Sequence, residues 1–144
     1  MIRDLQEKDI PRILDIWLDS NLEAHHFISD GFWFKNLPFV ETTLPQSEVY
    51  VCLFHDSIVG FIGLSDDFIE GLFVASEYRS QGIGKQLLDY VKQEHHTLKL
   101  NVYIKNMRAV DFYKRNGFHI NTNFIDEQTG ENNYEMIWSK RQVL

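Results

Sequence analysis

The sequence has little of what marks secreted, repetitive, disordered or membrane-spanning proteins. One of its 144 residues is cysteine, so no internal disulfide can form, and a cytoplasmic location is expected. It contains three prolines, no Gly/Pro/Ser-rich linker and no internal repeat. No apolar run approaches the roughly 20 residues of a membrane span, and the Met-Ile-Arg start lacks a signal-peptide pattern. With 44% hydrophobic residues, the chain is expected to fold as one globular domain over residues 1–144, without a membrane partner.

The charge of the chain is unevenly distributed. The net charge is -7, which disfavours nucleic acid as a partner. Residues 75–120 nevertheless carry eight Lys/Arg against four Asp/Glu, a local charge of +4, which leaves -11 for the rest. This pattern suits an anionic ligand on one side of the protein and a cationic ligand on the other, unless the charges only solvate the surface.

Apolar periodicity and turn signals predict an alternating α/β architecture. The predicted order is β-α-α-β-β-β-α-β-α-β-β, a mixed sheet with helices on both faces. Asp56-Ser57 is the predicted turn between the second and third strands. The predicted strands cover residues 1–5, 49–55, 58–64, 68–74, 98–104, 118–126 and 134–138, and the predicted helices cover 9–22, part of 25–43, 82–96 and 106–116.

A glycine-containing turn after the fourth strand is the most informative local feature. Arg79-Ser80-Gln81-Gly82-Ile83-Gly84 connects that strand to an amphipathic helix. Unpaired N–H groups at a helix start bind phosphate well, and glycines let the backbone approach it closely. The turn does not match two other phosphate-binding motifs. A Walker A loop needs Ser or Thr at the position of Gln86, and a dinucleotide fingerprint needs glycine at the position of Leu87.

The turn instead matches the pattern Gln/Arg-x-x-Gly-x-Gly/Ala, and here the chain resembles the GNAT superfamily of acetyl-CoA-dependent N-acetyltransferases. A second motif, Asn106-x-x-Ala109-x-x-Phe112-Tyr113-x-x-x-Gly117-Phe118, follows at the family's spacing. Trp17-Leu18-Asp19-Ser20 with His25-His26-Phe27 resembles the small stand-alone bacterial members. The resemblance covers essentially the whole chain, and it implies a mostly antiparallel sheet and direct acetyl transfer from acetyl-CoA to an amine.

The resemblance also implies which residues contact acetyl-CoA. Backbone N–H groups of the turn would hold the pyrophosphate, and the fourth strand would pair with the pantetheine arm as an added strand does. Asn106 is expected to cap its helix as well as to contact the cofactor, and a core role is the plainer interpretation of Phe112. The implied contacts are Leu72, Phe73, Val74, Arg79, Ser80, Gln81, Gly82, Ile83, Gly84, Lys85, Asn106, Ala109 and Phe112.

Catalysis requires a proton for the departing thiolate and removal of a proton from the acceptor amine. Tyr113 of the second motif is the candidate acid, unless it is only a core aromatic. Glu70 and His25 are the candidate bases: strand alternation predicts Glu70 on the face of Leu72 and Val74, and the pKa of histidine suits the task. The candidate acceptor-binding residues are Trp17, His25 and Trp33.

Other functions remain open at this stage. A non-catalytic acyl-CoA-binding sensor module could share the fold, and a toxin-like enzyme acting on charged tRNA is opposed by the acidic charge. The six histidines form no metal-ligand spacing, so no metal is expected. Protein lysines, protein N-terminal amines, amino acids and small amines all remain as acceptors. The expected assembly is a monomer or a homodimer.

Overall fold

A seven-stranded sheet organises the computed structural model, which describes residues 1–140. Its strand order is β1-β2-β3-β4-β5-β7-β6, and all neighbours are antiparallel except β4 and β5. This confirms the expected mixed, mostly antiparallel sheet. The strands are β1 (Ile2–Asp4), β2 (Glu48–Phe54), β3 (Ser57–Ser65), β4 (Phe68–Val74), β5 (Thr97–Tyr103), β6 (His119–Ile125) and β7 (Asn132–Ser139).

Four α-helices cover the sheet from both sides. One face packs against α1 through Ile13 and Ile16, and the other packs against α3 and α4 through residues such as Leu87, Leu88 and Val110. The second helix packs mainly on α1 and buries Trp33. The helices are α1 (Ile10–Ala24), α2 (Asp30–Thr43), α3 (Ile83–Lys92) and α4 (Met107–Arg115), with short 3₁₀ turns at Glu7–Asp9, Leu44–Gln46 and Ser76–Tyr78.

Two predicted boundaries differ from the structure. The helix predicted to reach about residue 96 ends at Lys92, because its buried stripe ends at Val91 and His95 bonds to Asp67 outside the helix, 2.7 Å from Nδ1 to Oδ1. The β2–β3 turn lies one residue earlier than predicted. His55 and Asp56 carry its left-handed backbone, with φ of 51° and 65°.

The parallel strands β4 and β5 separate soon after they meet. They are paired only at Phe68 with Lys99 and at Ile69 with Leu100. The following residues of β4 remain paired with β3 on their other side. The sheet therefore opens between the carboxyl halves of β4 and β5, and α3 and α4 begin shortly after these halves end. The first sequence motif leads into α3 and the second begins at the start of α4, so both follow the strands that border this opening.

Candidate active site

The turn before α3 leaves several backbone N–H groups outside the hydrogen bonds of the helix. Ser80 and Gly82 have left-handed backbones, with φ of 64° and 81°. The first hydrogen bond of α3 runs from the Gln86 N–H to the Gly82 carbonyl, so the N–H groups of residues 82–85 precede the helical ladder. Nothing lies within 4 Å of a Cβ placed on Gly82. These observations fit the anion-binding turn predicted from the sequence.

Gly84 has a packing role that the sequence did not indicate. A Cβ at this position would lie 3.0 Å from the Phe112 ring, so this glycine lets α4 approach α3. Phe112 and Ala109 are partly buried against the core on the α3/α4 side. The close packing of α3 and α4 therefore explains a glycine at position 84 equally as well as the close approach of a phosphate would.

The two basic side chains of the turn already have carboxylate partners. Arg79 donates from Nη1 to Glu23 on α1 at 2.5 Å, and Lys85 donates from Nζ to Asp89 at 2.6 Å. Both pairs are solvent-accessible and therefore contribute little to stability. Both cations remain at the predicted phosphate turn, and Glu23 is a contact that the sequence did not reveal.

The carboxyl half of β4 presents its side chains to both faces of the sheet. Leu72 and Val74 pack against the core on the α3/α4 side, whereas Phe73 packs on the α1 side with its ring 5.2 Å from that of Phe61. These packing roles leave the backbone groups of β4 that face the opening available for a ligand, as expected for an added strand.

Glu70 occupies a β-bulge that strand alternation does not predict. Ile69 pairs with Leu64 and Gly71 with Gly63, so Glu70 has no partner in β3. Ile69 consequently joins the same core cluster as Leu72, which strict alternation would forbid. Alternation therefore does not fix the face of Glu70, and its alignment with Leu72 and Val74 stays a prediction. Glu70 is exposed and is the first residue of β4 beyond its last pair with β5.

Tyr113 lies on the inner face of α4. It is 8% exposed, and the centroid of its ring is 5.5 Å from that of Phe118. Burial raises the pKa of Tyr113 above its ordinary value, so the hydroxyl keeps its proton at neutral pH. A protonated hydroxyl is the state that an acid requires.

Asn106 is the N-cap of α4, as the sequence predicted. Its Oδ1 accepts a hydrogen bond from the Ala109 N–H at 3.3 Å. Its Nδ2 lies 3.0 Å from Nε2 of His25, at the end of α1. One side chain thus joins the start of α4 to the first helical layer.

His25 is enclosed and engaged at both ring nitrogens. Its Nδ1 lies 3.0 Å from Oδ1 of Asn21, and its ring stacks on Trp33 with centroids 5.4 Å apart. Burial lowers the pKa of His25 to about 4. A histidine with this pKa and no unengaged nitrogen is poorly suited to take a proton from an amine, which speaks against His25 as the base.

An aromatic group surrounds His25 on the side expected to bind the acceptor. Trp33 is 6% exposed and contacts Trp17 edge-on at 5.8 Å between ring centroids. Two further rings complete the group at 5.7 and 4.9 Å from His25: Phe27 of the His25-His26-Phe27 stretch, and Tyr103, which the sequence did not single out. The spacing of Asn21 and His25 by four residues on one helix could have indicated their contact, but no local signal pointed to Tyr103.

A cavity of about 690 Å³ lies elsewhere, between the start of the chain and the beginning of β2. Its lining includes Leu5, Ile10, Pro45 and Tyr50 and none of the candidate residues. The candidate site is therefore separate from this cavity.

Within residues 1–140 no helix is long and apolar enough to cross a membrane. No three side chains of histidine, cysteine, aspartate or glutamate in that range come together as a metal-binding group.

Comparison with known proteins relates the chain to one family over its full length. The family described as "Acetyltransferase (GNAT) domain" matches residues 45–120. The peptidyl-lysine N-acetyltransferase YiaC of Escherichia coli K12 is 35% identical, with 100% of each chain covered. The peptidyl-lysine N-acetyltransferase YjaB of Salmonella typhimurium is 31% identical, with 83% of each chain covered.

Solved structures show the same fold. The solution structure of the apo form of YjaB from Escherichia coli matches with a TM-score of 0.86 and 26% identity, over 96% of both chains. A putative streptothricin acetyltransferase from Bacillus anthracis, in complex with acetyl coenzyme A, matches with a TM-score of 0.61 and 26% identity, over 66% of this chain and 63% of that one.

Proposed function

Because the chain belongs to the GNAT acetyltransferase family and is an acetyl-CoA-dependent N-acetyltransferase acting on a primary amine, we propose that its acceptor is the side-chain amine of a lysine in a protein or peptide. The observation that carries this proposal is the full-length likeness, at 35% identity, to a protein named as a peptidyl-lysine N-acetyltransferase. The sensor-module alternative loses its support, since the similar proteins are named as enzymes.

A lysine already held by the acceptor side of the protein supports this choice. The Lys105 ammonium lies 5.4 Å from the centroid of the Phe27 ring and 3.1 Å from a carboxylate oxygen of Glu131. An aromatic face and a carboxylate attract a protonated primary amine together. The acidic balance outside residues 75–120 adds a long-range attraction for a cationic substrate.

The residues of the turn and of β4 bind acetyl-CoA, which supplies the acetyl thioester. The N–H groups at the start of α3 meet the pyrophosphate, and Arg79 and Lys85 add positive charge there. The half of β4 that does not pair with β5, at Leu72 and Val74, aligns the pantetheine arm by backbone pairing. Asn106, Ala109 and Phe112 border the same opening from α4.

Two side chains handle the protons in this proposal. Tyr113 donates its hydroxyl proton to the thiolate as it departs. Glu70 accepts the proton that the acceptor ammonium loses, since it is exposed where β4 and β5 separate. His25 remains neutral and lines the acceptor side with Trp17 and Trp33.

An acceptor comparison tests the choice of lysine. Three peptides of similar charge are incubated with the enzyme and acetyl-CoA, and free CoA release and peptide mass are measured. One has a blocked N-terminus and a single lysine, one is the same peptide with arginine replacing lysine, and one has a free N-terminus and no lysine. We expect acetylation of the first peptide only.

Each other outcome has a distinct meaning. Acetylation confined to the free N-terminus would overturn the lysine proposal and leave the acetyltransferase activity intact. Acetylation of spermidine or a free amino acid in preference to every peptide would assign a small-molecule acceptor.

A further inference from the structure

Side chains form a continuous chain of hydrogen bonds from the last turn of α1 to the first turn of α4. Asn21 donates from Nδ2 to the Trp17 carbonyl at 2.9 Å and faces Nδ1 of His25 with its Oδ1. Nε2 of His25 faces Nδ2 of Asn106, whose Oδ1 accepts from the Ala109 N–H. We call Asn21, His25 and Asn106 the α1–α4 relay.

The donors and acceptors of the relay are fixed by its two ends. The Trp17 carbonyl can only accept, so the amide nitrogen of Asn21 points towards it and the amide oxygen towards His25. The Ala109 N–H can only donate, so the amide oxygen of Asn106 points towards it and the amide nitrogen towards His25. Both amide orientations are therefore set by backbone groups and do not depend on the histidine.

The histidine must then be neutral, with its proton on Nδ1. Nδ1 faces an oxygen that accepts, so Nδ1 donates, and Nε2 faces a nitrogen that donates, so Nε2 accepts. Trp33 and Tyr103, with ring centroids 5.4 and 4.9 Å from that of His25, hold the plane of the imidazole. A protonated ring would present a donor to Asn106, and turning that amide to accept would remove the cap from Ala109.

We propose that Asn21 and His25 are positioning residues, which hold the Asn106 side chain so that it caps α4 and is aligned for acetyl-CoA. The effect of Asn21 and His25 on catalysis depends on the proposed contact of Asn106 with acetyl-CoA. The hydrogen-bond geometry of the relay does not depend on that contact. Because the relay joins the acceptor-side helices to the helix that carries Tyr113, it also makes the position of α4 depend on the packing of α1.

The tautomer of His25 is a direct test on the unmodified protein. Two-bond ¹H–¹⁵N correlation spectra at neutral pH report which imidazole nitrogen carries the proton, and His25→Gln identifies the His25 signals among the six histidines. We expect Nδ1–H. An Nε2–H tautomer, or an imidazolium, would overturn the relay without bearing on the choice of lysine as the acceptor.

Two variants of His25 separate its two hydrogen bonds. His25→Gln places an acceptor at the distance of Nε2 and can keep the bond from Asn106, whereas His25→Asn reaches only as far as Nδ1 and can keep the bond to Asn21. Both lose the ring and its stacking, so they are matched in that loss. The dissociation constant for acetyl-CoA, measured by calorimetry, should be about fivefold higher in His25→Asn than in His25→Gln, the effect of one neutral hydrogen bond.

The remaining outcomes are distinguishable. Equal dissociation constants in the two variants would overturn the positioning role. If turnover falls equally in both variants, by a factor of about 100 or more, with unchanged affinity, the imidazole itself is the base. Failure of the wild-type protein to bind acetyl-CoA would refute the proposed cofactor site instead, while the tautomer would still test the relay.

Discussion

Gly82 and Gly130 offer a controlled test of the cofactor turn. Both have left-handed backbones, with φ of 81° and 73°, and neither would place a Cβ within 4 Å of another group. Aspartate at either position meets similar backbone strain, of about 1 kcal/mol. Gly82→Asp, however, adds a carboxylate where we place the pyrophosphate, whereas Gly130→Asp adds it to the β6–β7 turn.

The size of the effect follows from electrostatics. A carboxylate about 5 Å from a phosphate charge is repelled by about 1 kcal/mol in water and about 3 kcal/mol at an effective dielectric constant of about 20. A loss of about 2 kcal/mol raises the dissociation constant for acetyl-CoA about 30-fold. An acid near the start of α3 is favourable for the helix itself, so the loss does not reflect damage to α3.

A thermal shift assay measures this loss. For 144 residues the unfolding entropy is about 0.3 kcal/mol per degree. Acetyl-CoA at about 100 times its dissociation constant adds about 2.7 kcal/mol, which corresponds to a rise in Tm of about 9 °C. At the same concentration the rise should be about 3 °C in Gly82→Asp and unchanged in Gly130→Asp. Equal rises in the two variants would refute the assignment of the turn.

Three further outcomes follow from the site. In a thiol-release assay, Tyr113→Phe should lower kcat by about 10²–10⁴-fold, with acetyl-CoA affinity nearly unchanged. Turnover within about threefold of wild type would make Tyr113 a core residue only. Glu70→Gln should lose more turnover at low pH than at high pH, where the amine is already free; a pH-independent loss would leave deprotonation to water. In denaturant titrations, the free energy of unfolding should fall by up to about 3 kcal/mol as the pH drops from about 6.5 to about 4. The pKa of His25 is lower in the folded protein than in the unfolded chain, so in this pH range only the unfolded chain takes up a proton on that ring. His25→Gln should remove this dependence, and Asp9, whose pKa is lowered by Arg3, adds a loss of the same sign only at lower pH.

The order of elements could be predicted because each has a local signal. The apolar stripe of α3 at Ile83, Leu87 and Val91 has helical spacing, and the run from Phe68 to Val74 is short enough for a strand. The turn at Gly82 was also predictable as a turn, because Gly82 and Gly84 stand where that helix begins, and its phosphate-binding role stays a prediction.

The contacts that refine the site arise between distant segments. The bulge at Glu70 depends on how β4 meets Gly63 and Leu64 of β3. The contact of His25 with Asn106 joins residues 81 apart in sequence. The sequence could therefore indicate His25 as a site residue, but it could not distinguish a catalytic base from a positioning residue.

The separation of β4 and β5 divides the sheet into two hairpin-based halves, each built from a continuous stretch of chain. Strands β1–β4 come from residues 2–74, and strands β5–β7 come from residues 97–139. Backbone pairing within each half joins near neighbours in sequence, except that β1 pairs with β2 across α1 and α2, and β5 pairs with β7 across α4 and β6. Within residues 1–140, two residue pairs join β4 of one half to β5 of the other. Side chains of α3 and α4 share one core cluster with both halves and so add contacts between them. A ligand arm that pairs with β4 would add backbone bonds at this seam, so amide hydrogen exchange should slow there first as the site fills.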